Sequence, residues 1–256
     1  MKPQVICVPG SVAPAAQRYR PLIEAVADAA DLHLKDLEVY REPVPPSDYS
    51  INEELDAIDR LAGSKSLDRF HLIGYSGGGF ISLAYAGTRP ERVISLGLFE
   101  PARIPGTMTG EEAAAFAALE AKLRGLQGSE FMAAFVREQV KPGVQVPPPP
   151  ASVSPEMQKR PAGITALIRA FEDYAFDRRL LAAAQFPAFL AYGDQTHEVE
   201  SIKAGVLARL FRDVRVHRYS GIHHFVPPEM IYSAAYAHAL LSHWLAAETS
   251  GAQLPL

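Results

Sequence analysis

Apolar residues follow two alternating patterns along the first hundred positions. Short runs of branched apolar residues are typical of buried strands, whereas apolar residues spaced three to four apart predict helices. The predicted strands are Val5–Val8, Leu32–Tyr40, Phe70–Gly74 and Val93–Phe99, and the predicted helices are Tyr19–Ala30, Ile51–Ala62 and Gly77–Gly87. Strands that alternate with helices of this length predict right-handed crossovers and a mostly parallel sheet.

The alternation stops after Glu100-Pro101. The pattern beyond it predicts helices over residues 111–124, 129–140 and 161–184, with a stiff proline run at Val146–Pro150. Strands resume at Ala188–Tyr192 and Val214–Tyr219, with helices at about 200–212 and 229–246. We therefore expect an α/β core made of residues 1–102 and 186–256. Residues 103–185 are expected to form a helical cap over the sheet.

The composition narrows the classes of function. Hydrophobic residues make up 48% of the 256 positions, enough for a full-sized core. A net charge of -4 without runs of lysine or arginine argues against a nucleic-acid or anionic-membrane surface. The single Cys7 cannot form an internal disulfide. The sequence has no Cys/His cluster, so we expect no structural metal site. Because the apolar run Val5–Val8 is too short for a signal-peptide core, we expect a cytoplasmic protein. A small molecule is its expected partner.

The residues Gly74-Tyr75-Ser76-Gly77-Gly78 fit the pattern G-x-S-x-G between a predicted strand and a predicted helix. A serine at such a sharp turn takes strained backbone angles, and side chains two residues to either side would collide with the crossing backbone. The turn presents the hydroxyl at a helix N-terminus, whose N–H groups favour developing negative charge. A phosphate loop is the alternative, but the stretch lacks its Gly-Lys-Ser/Thr ending and its G-x-G-x-x-G spacing. Ser76 is therefore the predicted nucleophile.

This motif in this context resembles the α/β-hydrolase superfamily, and the resemblance covers nearly the whole chain. Two weaker motifs flank it. Pro9-Gly10-Ser11 stands where many members have His-Gly-x, and GIHHF, Gly221–Phe225, is similar to the family's G-x-G-H-F. The resemblance implies an α/β-hydrolase fold, with a mostly parallel central sheet flanked by helices and an inserted helical cap. The chain departs from the family by lacking its first two strands and by having Pro9 in place of histidine.

The resemblance also implies an oxyanion hole and a general base. The oxyanion hole would use the backbone N–H groups of Gly77 and Ser11, or Val12 if the loop register shifts by one. Pro9 leaves this role intact, because backbone groups and not an imidazole perform it. Two histidines, His223 and His224, lie in the loop after the last predicted strand, where a neutral imidazole can accept the serine proton. Alignment of His-Phe with the family pattern favours His224, with His223 as the alternative.

Three carboxylates compete to orient the base. Most superfamily members carry an aspartate about three residues past the glycine of AYGDQTHE, where this chain has Thr196. Asp194 and Glu198 lie nearby, the first suited to capping the loop and the second to beginning a helix. Glu100 ends the strand next to the elbow strand, about 4.8 Å away. Haloalkane dehalogenases and lactonases resembling the zearalenone-degrading type place their acid there, so we expect Glu100, with Asp194 and Glu198 as alternatives.

The predicted cap is rich in large apolar side chains, which suit a largely apolar substrate. We expect hydrolysis of an ester or lactone through an acyl-Ser76 intermediate, without a metal or an organic cofactor. A serine nucleophile argues against dehalogenase and epoxide hydrolase chemistry, which resembling families run with an aspartate. Hydrolysis of a C–C or thioester bond by the same residues is one alternative, and a small-molecule receptor on the same fold is another. The sequence leaves the oligomeric state open.

Overall fold

The computed structural model describes residues 2–105, 108–126, 128–146 and 154–251. Its strands are β1 (Gln4–Val8), β2 (Asp31–Leu34), β3 (Phe70–Tyr75), β4 (Val93–Phe99), β5 (Ala188–Gly193) and β6 (Val214–Tyr219). Its helices are α1 (Ala15–Val26), α2 (Ile51–Ser64), α3 (Gly77–Thr88), α4 (Gly110–Leu123), α5 (Gly128–Glu138), α6 (Pro155–Gln158), α7 (Arg160–Asp173), α8 (Arg178–Ala182), α9 (Val199–Leu210), α10 (Pro228–Ile231) and α11 (Ala234–Gly251). Single 3-10 turns occur at Glu38–Tyr40 and Pro90–Arg92.

The six strands form one parallel sheet in the order β2-β1-β3-β4-β5-β6. The elbow strand β3 and its neighbour β4 are buried almost throughout, which explains why their sequences are continuously apolar rather than alternating. Tyr75, the last residue of β3, pairs with Phe99, the last residue of β4. Ser76 and Glu100 therefore leave the sheet side by side at its carboxyl edge.

Helices cover both faces of the sheet, and each face has its own apolar core. On one face, Tyr19 and Leu22 of α1 pack with Leu240 and Trp244 of α11. On the other, side chains of α2, α3, α7 and α9 share one core. This arrangement confirms the predicted α/β class and the mostly parallel sheet. Among the described helices, none combines the length and the hydropathy of a membrane span.

The second predicted strand and the last predicted helix both differ from the structure, and polar contacts explain the first difference. The second strand ends at Leu34 rather than Tyr40, because Lys35 turns to the buried carboxylate of Glu54, at 2.6 Å. The side chain of Asp36 then accepts a hydrogen bond from the N–H of Ala15, the first residue of α1, at 2.7 Å. The predicted helix 229–246 is divided into α10 and α11, with Tyr232 ending the first of them.

The described residues between β4 and β5 contribute helices α4–α8 and no strand of the sheet. Val140 makes one isolated antiparallel bridge to Thr196. The predicted helix 161–184 is divided into α7 and α8, because Asp177 caps a new helix by accepting the Arg179 N–H at 3.0 Å. The prolines at 147–150 lie outside the described residues.

Candidate active site

Ser76 occupies a strained turn between β3 and α3, with φ 52° and ψ −118°. Only glycine fits at the positions two residues before and two residues after it. A Cβ on Gly74 would lie 2.4 Å from the carbonyl oxygen of Gly78, and a Cβ on Gly78 would lie 2.3 Å from that of Pro9. These contacts are far shorter than van der Waals distance, so both glycines are steric requirements of the turn.

Ser76, His224 and Glu100 form one continuous hydrogen-bonded chain. The Ser76 hydroxyl lies 3.1 Å from Nε2 of His224, and Nδ1 of the same ring lies 2.7 Å from Oε2 of Glu100. With the Nδ1–H tautomer, the imidazole donates to the carboxylate and keeps Nε2 free to accept a proton. All three side chains are buried, so little solvent competes for these hydrogen bonds.

Glu100 is held in place by the turn that follows β5. Its Oε1 accepts hydrogen bonds from the Gly193 N–H at 2.8 Å and from the Thr196 hydroxyl at 2.6 Å. Its backbone takes a left-handed conformation, φ 45°, and its N–H donates to the carbonyl of Ala191. The carboxylate thus has three donors, including His224, and its side chain cannot turn to solvent without losing them.

Neither of the other two candidate acids belongs to this chain of hydrogen bonds. Oδ1 of Asp194 accepts the N–H of Gly221 at 2.9 Å, across to the loop that carries His224. Glu198 is exposed at the start of α9, where its carbonyl accepts the hydroxyl of Ser201. The described contacts of Asp194 and Glu198 do not include the imidazole. Thr196, at the position usual for the acid, is a donor to Glu100.

His223 makes no described contact with Ser76. Its Nδ1 accepts the N–H of Phe225 at 3.1 Å, which turns the ring toward its own loop. The remaining histidines lie elsewhere: His71, for example, is hydrogen-bonded to Ser95, and His217 stacks on Phe189. Of the two neighbouring histidines predicted as bases, the structure brings His224 to Ser76.

Ser11 and Gly77, the two residues predicted to supply the N–H groups of the oxyanion hole, also lie together. The backbone nitrogen of Ser11 is 3.7 Å from where a Cβ on Gly77 would stand. Gly77 is the first residue of α3, where N–H groups have no intrahelical acceptor. No described residue accepts a hydrogen bond from either N–H, so both donors are free for an incoming oxygen. The structure thus places Ser11 beside Gly77, and no described contact brings Val12 there.

Burial lowers the pKa of His224 below its usual 6.5, against the opposing influence of Glu100. The positive charges of Lys203 and Arg18 lower it further. A base with a lowered pKa is neutral over a wider pH range, which suits proton acceptance near neutral pH.

Two residues around the imidazole, Tyr75 and Arg18, were not predicted as parts of the site. Tyr75 packs inward: its ring stacks on the imidazole with centroids 4.9 Å apart, and its hydroxyl donates to the His224 carbonyl. The guanidinium of Arg18 lies over the ring of Tyr75, with Cζ 3.4 Å from the ring centroid. Arg18 lies on the buried face of α1, among apolar residues. A charged residue on an apolar helix face is the sequence feature that could have indicated its role.

A buried ion pair lies beside the acid. Lys203 contacts Glu200 at 2.6 Å and donates to the carbonyl of Pro101, directly after Glu100. Burial raises the pKa of Glu200, and the charge of Glu100 raises it further, while Lys203 opposes both. A small cavity of about 10 Å³, room for about one water molecule, lies between Glu100 and Glu200. It is lined by Leu98 and Leu190 and not by Ser76. It is a space behind the acid, not a binding pocket over the serine.

A strained serine at a strand-to-helix turn, linked to a buried histidine and carboxylate on a parallel sheet, is the arrangement of an α/β hydrolase. The family model described as the alpha/beta hydrolase fold matches residues 36–229. The chain belongs to that family, as the sequence resemblance predicted. A comparison with curated proteins found no match.

Solved structures show the same fold at low sequence identity. Carboxylesterase CesB (YbfK) from Bacillus subtilis is 16% identical, with a TM-score of 0.64 over 95% of this chain and 84% of that one. A hydrolase from Pseudomonas aeruginosa PA01 is 18% identical, with a TM-score of 0.66 over 94% and 89% of the two chains. The meta-cleavage product hydrolase CumD from Pseudomonas fluorescens IP01 is also 18% identical, with a TM-score of 0.64 over 96% and 91%. At such identities the likeness extends to the fold alone.

Proposed function

We propose that this protein is a serine hydrolase that cleaves an ester or lactone of a largely apolar small molecule. The observation that carries the proposal is the unbroken chain from Glu100 through His224 to Ser76 at a strained elbow. Family membership supports hydrolysis as the general activity. The choice of ester or lactone depends on the serine nucleophile and on the surroundings of the elbow.

The chain of hydrogen bonds supports a two-step reaction. The Ser76 oxygen attacks the substrate carbonyl carbon as its proton moves to Nε2 of His224. The carbonyl oxygen, now negative, is stabilised by the N–H groups of Gly77 and Ser11. The C–O bond to the leaving group then breaks, and the imidazolium protonates the departing alcohol. Water, deprotonated by His224, attacks the acyl-Ser76 ester, which releases the acid and returns the proton to Ser76. Glu100 stabilises the imidazolium in both steps.

Aromatic side chains beside the elbow support an apolar substrate. Phe171 of α7 has its Cζ 3.6 Å from where a Cβ on Gly77 would lie. Phe80 packs against it with ring centroids 4.5 Å apart, and Tyr174 and Phe176 complete the cluster. We propose that α4–α8 act as the cap that brings this apolar surface to the reacting bond.

Activity against a panel of p-nitrophenyl esters and lactones, followed by intact-protein mass spectrometry, tests the proposal. We expect turnover by the wild type, an added acyl mass on one serine, and loss of both in Ser76→Ala. A fluorophosphonate should label the same serine, with labelling lost in His224→Ala and kept in a folded His223→Ala control.

The same panel distinguishes the alternatives. Substantial turnover by Ser76→Ala contradicts the mechanism. Tight binding of panel compounds without product indicates a receptor. Selective turnover of a thioester or a C–C substrate keeps the serine chemistry but changes the substrate class.

A further inference from the structure

The carbonyl of Ser11, next to the oxyanion site, is held by two side chains that the mechanism above does not use. The Tyr40 hydroxyl donates to it at 2.7 Å, and Nη1 of Arg160 lies 3.4 Å from it. The guanidinium also lies over the Tyr40 ring, with Cζ 3.9 Å from the centroid. All three residues are buried, so no bulk water replaces these contacts. Burial raises the pKa of Tyr40, which keeps its hydroxyl protonated as a donor.

Holding this carbonyl orients the loop on which the oxyanion donor lies. Residues 9–14 have no regular structure, so the sheet and helix ladders do not set the direction of the Ser11 backbone. No described peptide is cis, so the Ser11 carbonyl and the following N–H point in opposite directions. A fixed carbonyl therefore fixes the plane of the Ser11–Val12 peptide. That plane meets the peptide of the Ser11 N–H at the Cα of Ser11, so only the two backbone rotations of Ser11 separate the held carbonyl from the N–H beside Gly77.

Helix α7 is built to hold Tyr40. Lys159, just before the helix, donates to the Tyr40 carbonyl at 3.2 Å, and Arg160 is the first helical residue. One turn later stands Gly163, where a Cβ would lie 2.0 Å from Cε1 of the Tyr40 ring. A glycine costs a helix interior about 1 kcal/mol relative to alanine, so its presence here is explained by the close approach of that ring.

The same helix reaches both residues of the oxyanion site. Arg160 contacts Ser11, while Phe171, near the other end of α7, packs over Gly77. One helix of the region between β4 and β5 thus contacts both residues of the oxyanion site.

We infer that Tyr40 and Arg160 are positioning residues through which helix α7 completes the oxyanion hole. This inference rests on the proposed function. Its consequence is specific: because the oxyanion exists only in the transition state, loss of this support lowers kcat more than it raises KM.

Tyr40→Phe, which keeps the ring and loses the hydroxyl, is the first test. We expect kcat on a p-nitrophenyl ester to fall about tenfold, the effect of a mispositioned hydrogen-bond donor, with KM nearly unchanged. The inhibition constant of a trifluoromethyl ketone, whose serine adduct carries an oxyanion, should rise by the same factor. The pH profile should keep its shape, because His224 is not touched. Tyr85→Phe is the matched control, since it also loses a hydroxyl donor, to Asp59, near the opposite end of α3 from Gly77.

Two variants on α7 test the same support from the other side. Arg160→Met should reproduce the loss, Arg160→Lys should recover part of it, and the exposed Arg169→Met on the same helix should have no effect. Gly163→Ala should favour the helix yet displace Tyr40 and lower kcat. Gly205→Ala in α9 is its control, because the nearest atom a Cβ would meet there is 3.7 Å away. Thermal unfolding identifies any variant that loses its fold.

The inference is overturned if the wild type is active and Tyr40→Phe and Gly163→Ala match their controls in kcat and in ketone affinity. Equal losses in kcat and in ground-state binding would also overturn it, since they indicate general disorder of the site. If the wild type neither turns over an ester nor forms a ketone adduct, the proposed function itself fails, and the positioning role fails with it.

Discussion

The turns after β4 and β5 lie side by side at the carboxyl edge of the sheet, and both carry acidic residues. The β4 turn sends one carboxylate, Glu100, inward to His224 at 2.7 Å. The β5 turn carries Asp194, which contacts loop backbone and Arg218, and the exposed Glu198. Its contribution to the site is made by donors, the Gly193 N–H and the Thr196 hydroxyl, which hold Glu100.

The comparison shows that the position of a carboxylate in the sequence does not determine whether it orients the catalytic base. A buried acid needs donors for its remaining lone pairs, and the β5 turn supplies two of them. An aspartate in place of Thr196 would face the charge of Glu100 at close range, since the two oxygens are 2.6 Å apart. Thr196 therefore fits a site whose acid comes from the neighbouring strand.

The largest expected effect is that of Glu100→Gln. The amide keeps the shape but cannot stabilise the imidazolium, so we expect kcat to fall by up to ~10⁴-fold, as in serine hydrolases whose acid is neutralised. Steady-state kinetics on the best ester substrate measures it. A nearly silent Glu100→Gln, together with a crippling Asp194→Asn, would reverse the assignment of the two turns.

Restoring a carboxylate in the β5 turn sharpens the comparison. Thr196→Asp in the Glu100→Gln background should recover activity by about tenfold, or ~1.4 kcal/mol of barrier. In the wild-type background the same change should impair the enzyme, because two carboxylates would share one buried space. Recovery in neither background would show that the β5 turn cannot reach the imidazole.

The pH dependence of kcat/KM reports the state of His224. Only the neutral ring accepts the Ser76 proton, so kcat/KM should fall about tenfold per pH unit below the pKa of the imidazole. Burial lowers that pKa, so the acid limb should begin below pH 6.5. Because Glu100 raises the pKa, the residual activity of Glu100→Gln should hold to a still lower pH. An inflection above 6.5 in the wild type would contradict this.

Thr196→Val tests the donors of the β5 turn alone. It leaves Oε1 of Glu100 with the Gly193 N–H only, and we expect a loss of about 2 kcal/mol in the free energy of unfolding, as for a hydrogen bond to a charged group. The fall in kcat should be about tenfold or less, far smaller than that of Glu100→Gln. Chemical denaturation and kinetics on one preparation measure both, and Thr196→Ser, which keeps the hydroxyl, is the control.

The smallest effects belong to the acids of the β5 turn. Asp194→Asn keeps an acceptor for the Gly221 N–H, so kcat should change by less than about threefold. Glu198→Gln, at an exposed position, should leave kcat and the thermal midpoint unchanged. A severe loss in either variant, with the fold intact, would show that this turn supplies the acid after all.

The features that were predicted correctly from the sequence depend on residues that are close to one another in the chain. The parallel α/β class follows from the alternation of apolar runs, and the elbow from the glycines at 74 and 78, whose steric need is confined to one turn. The division of the helix predicted over 161–184 was not foreseen. The apolar spacing continues through this segment, and the cap that Asp177 provides for α8 is seen only in the folded chain.

By itself, the sequence determined the fold class, the position of the serine turn and the loop that carries His224, since these depend on periodicity and on short motifs. The sequence favoured Glu100 as the acid but left Asp194 and Glu198 open, and the tertiary structure decided which carboxylate meets the imidazole. That choice depends on the pairing of Tyr75 with Phe99 and on donors from β5, almost a hundred residues away. It also brought Arg18 onto Tyr75, and Tyr40 with Arg160 onto Ser11. Such contacts join segments distant in the chain, and only packing of the complete fold brings them together.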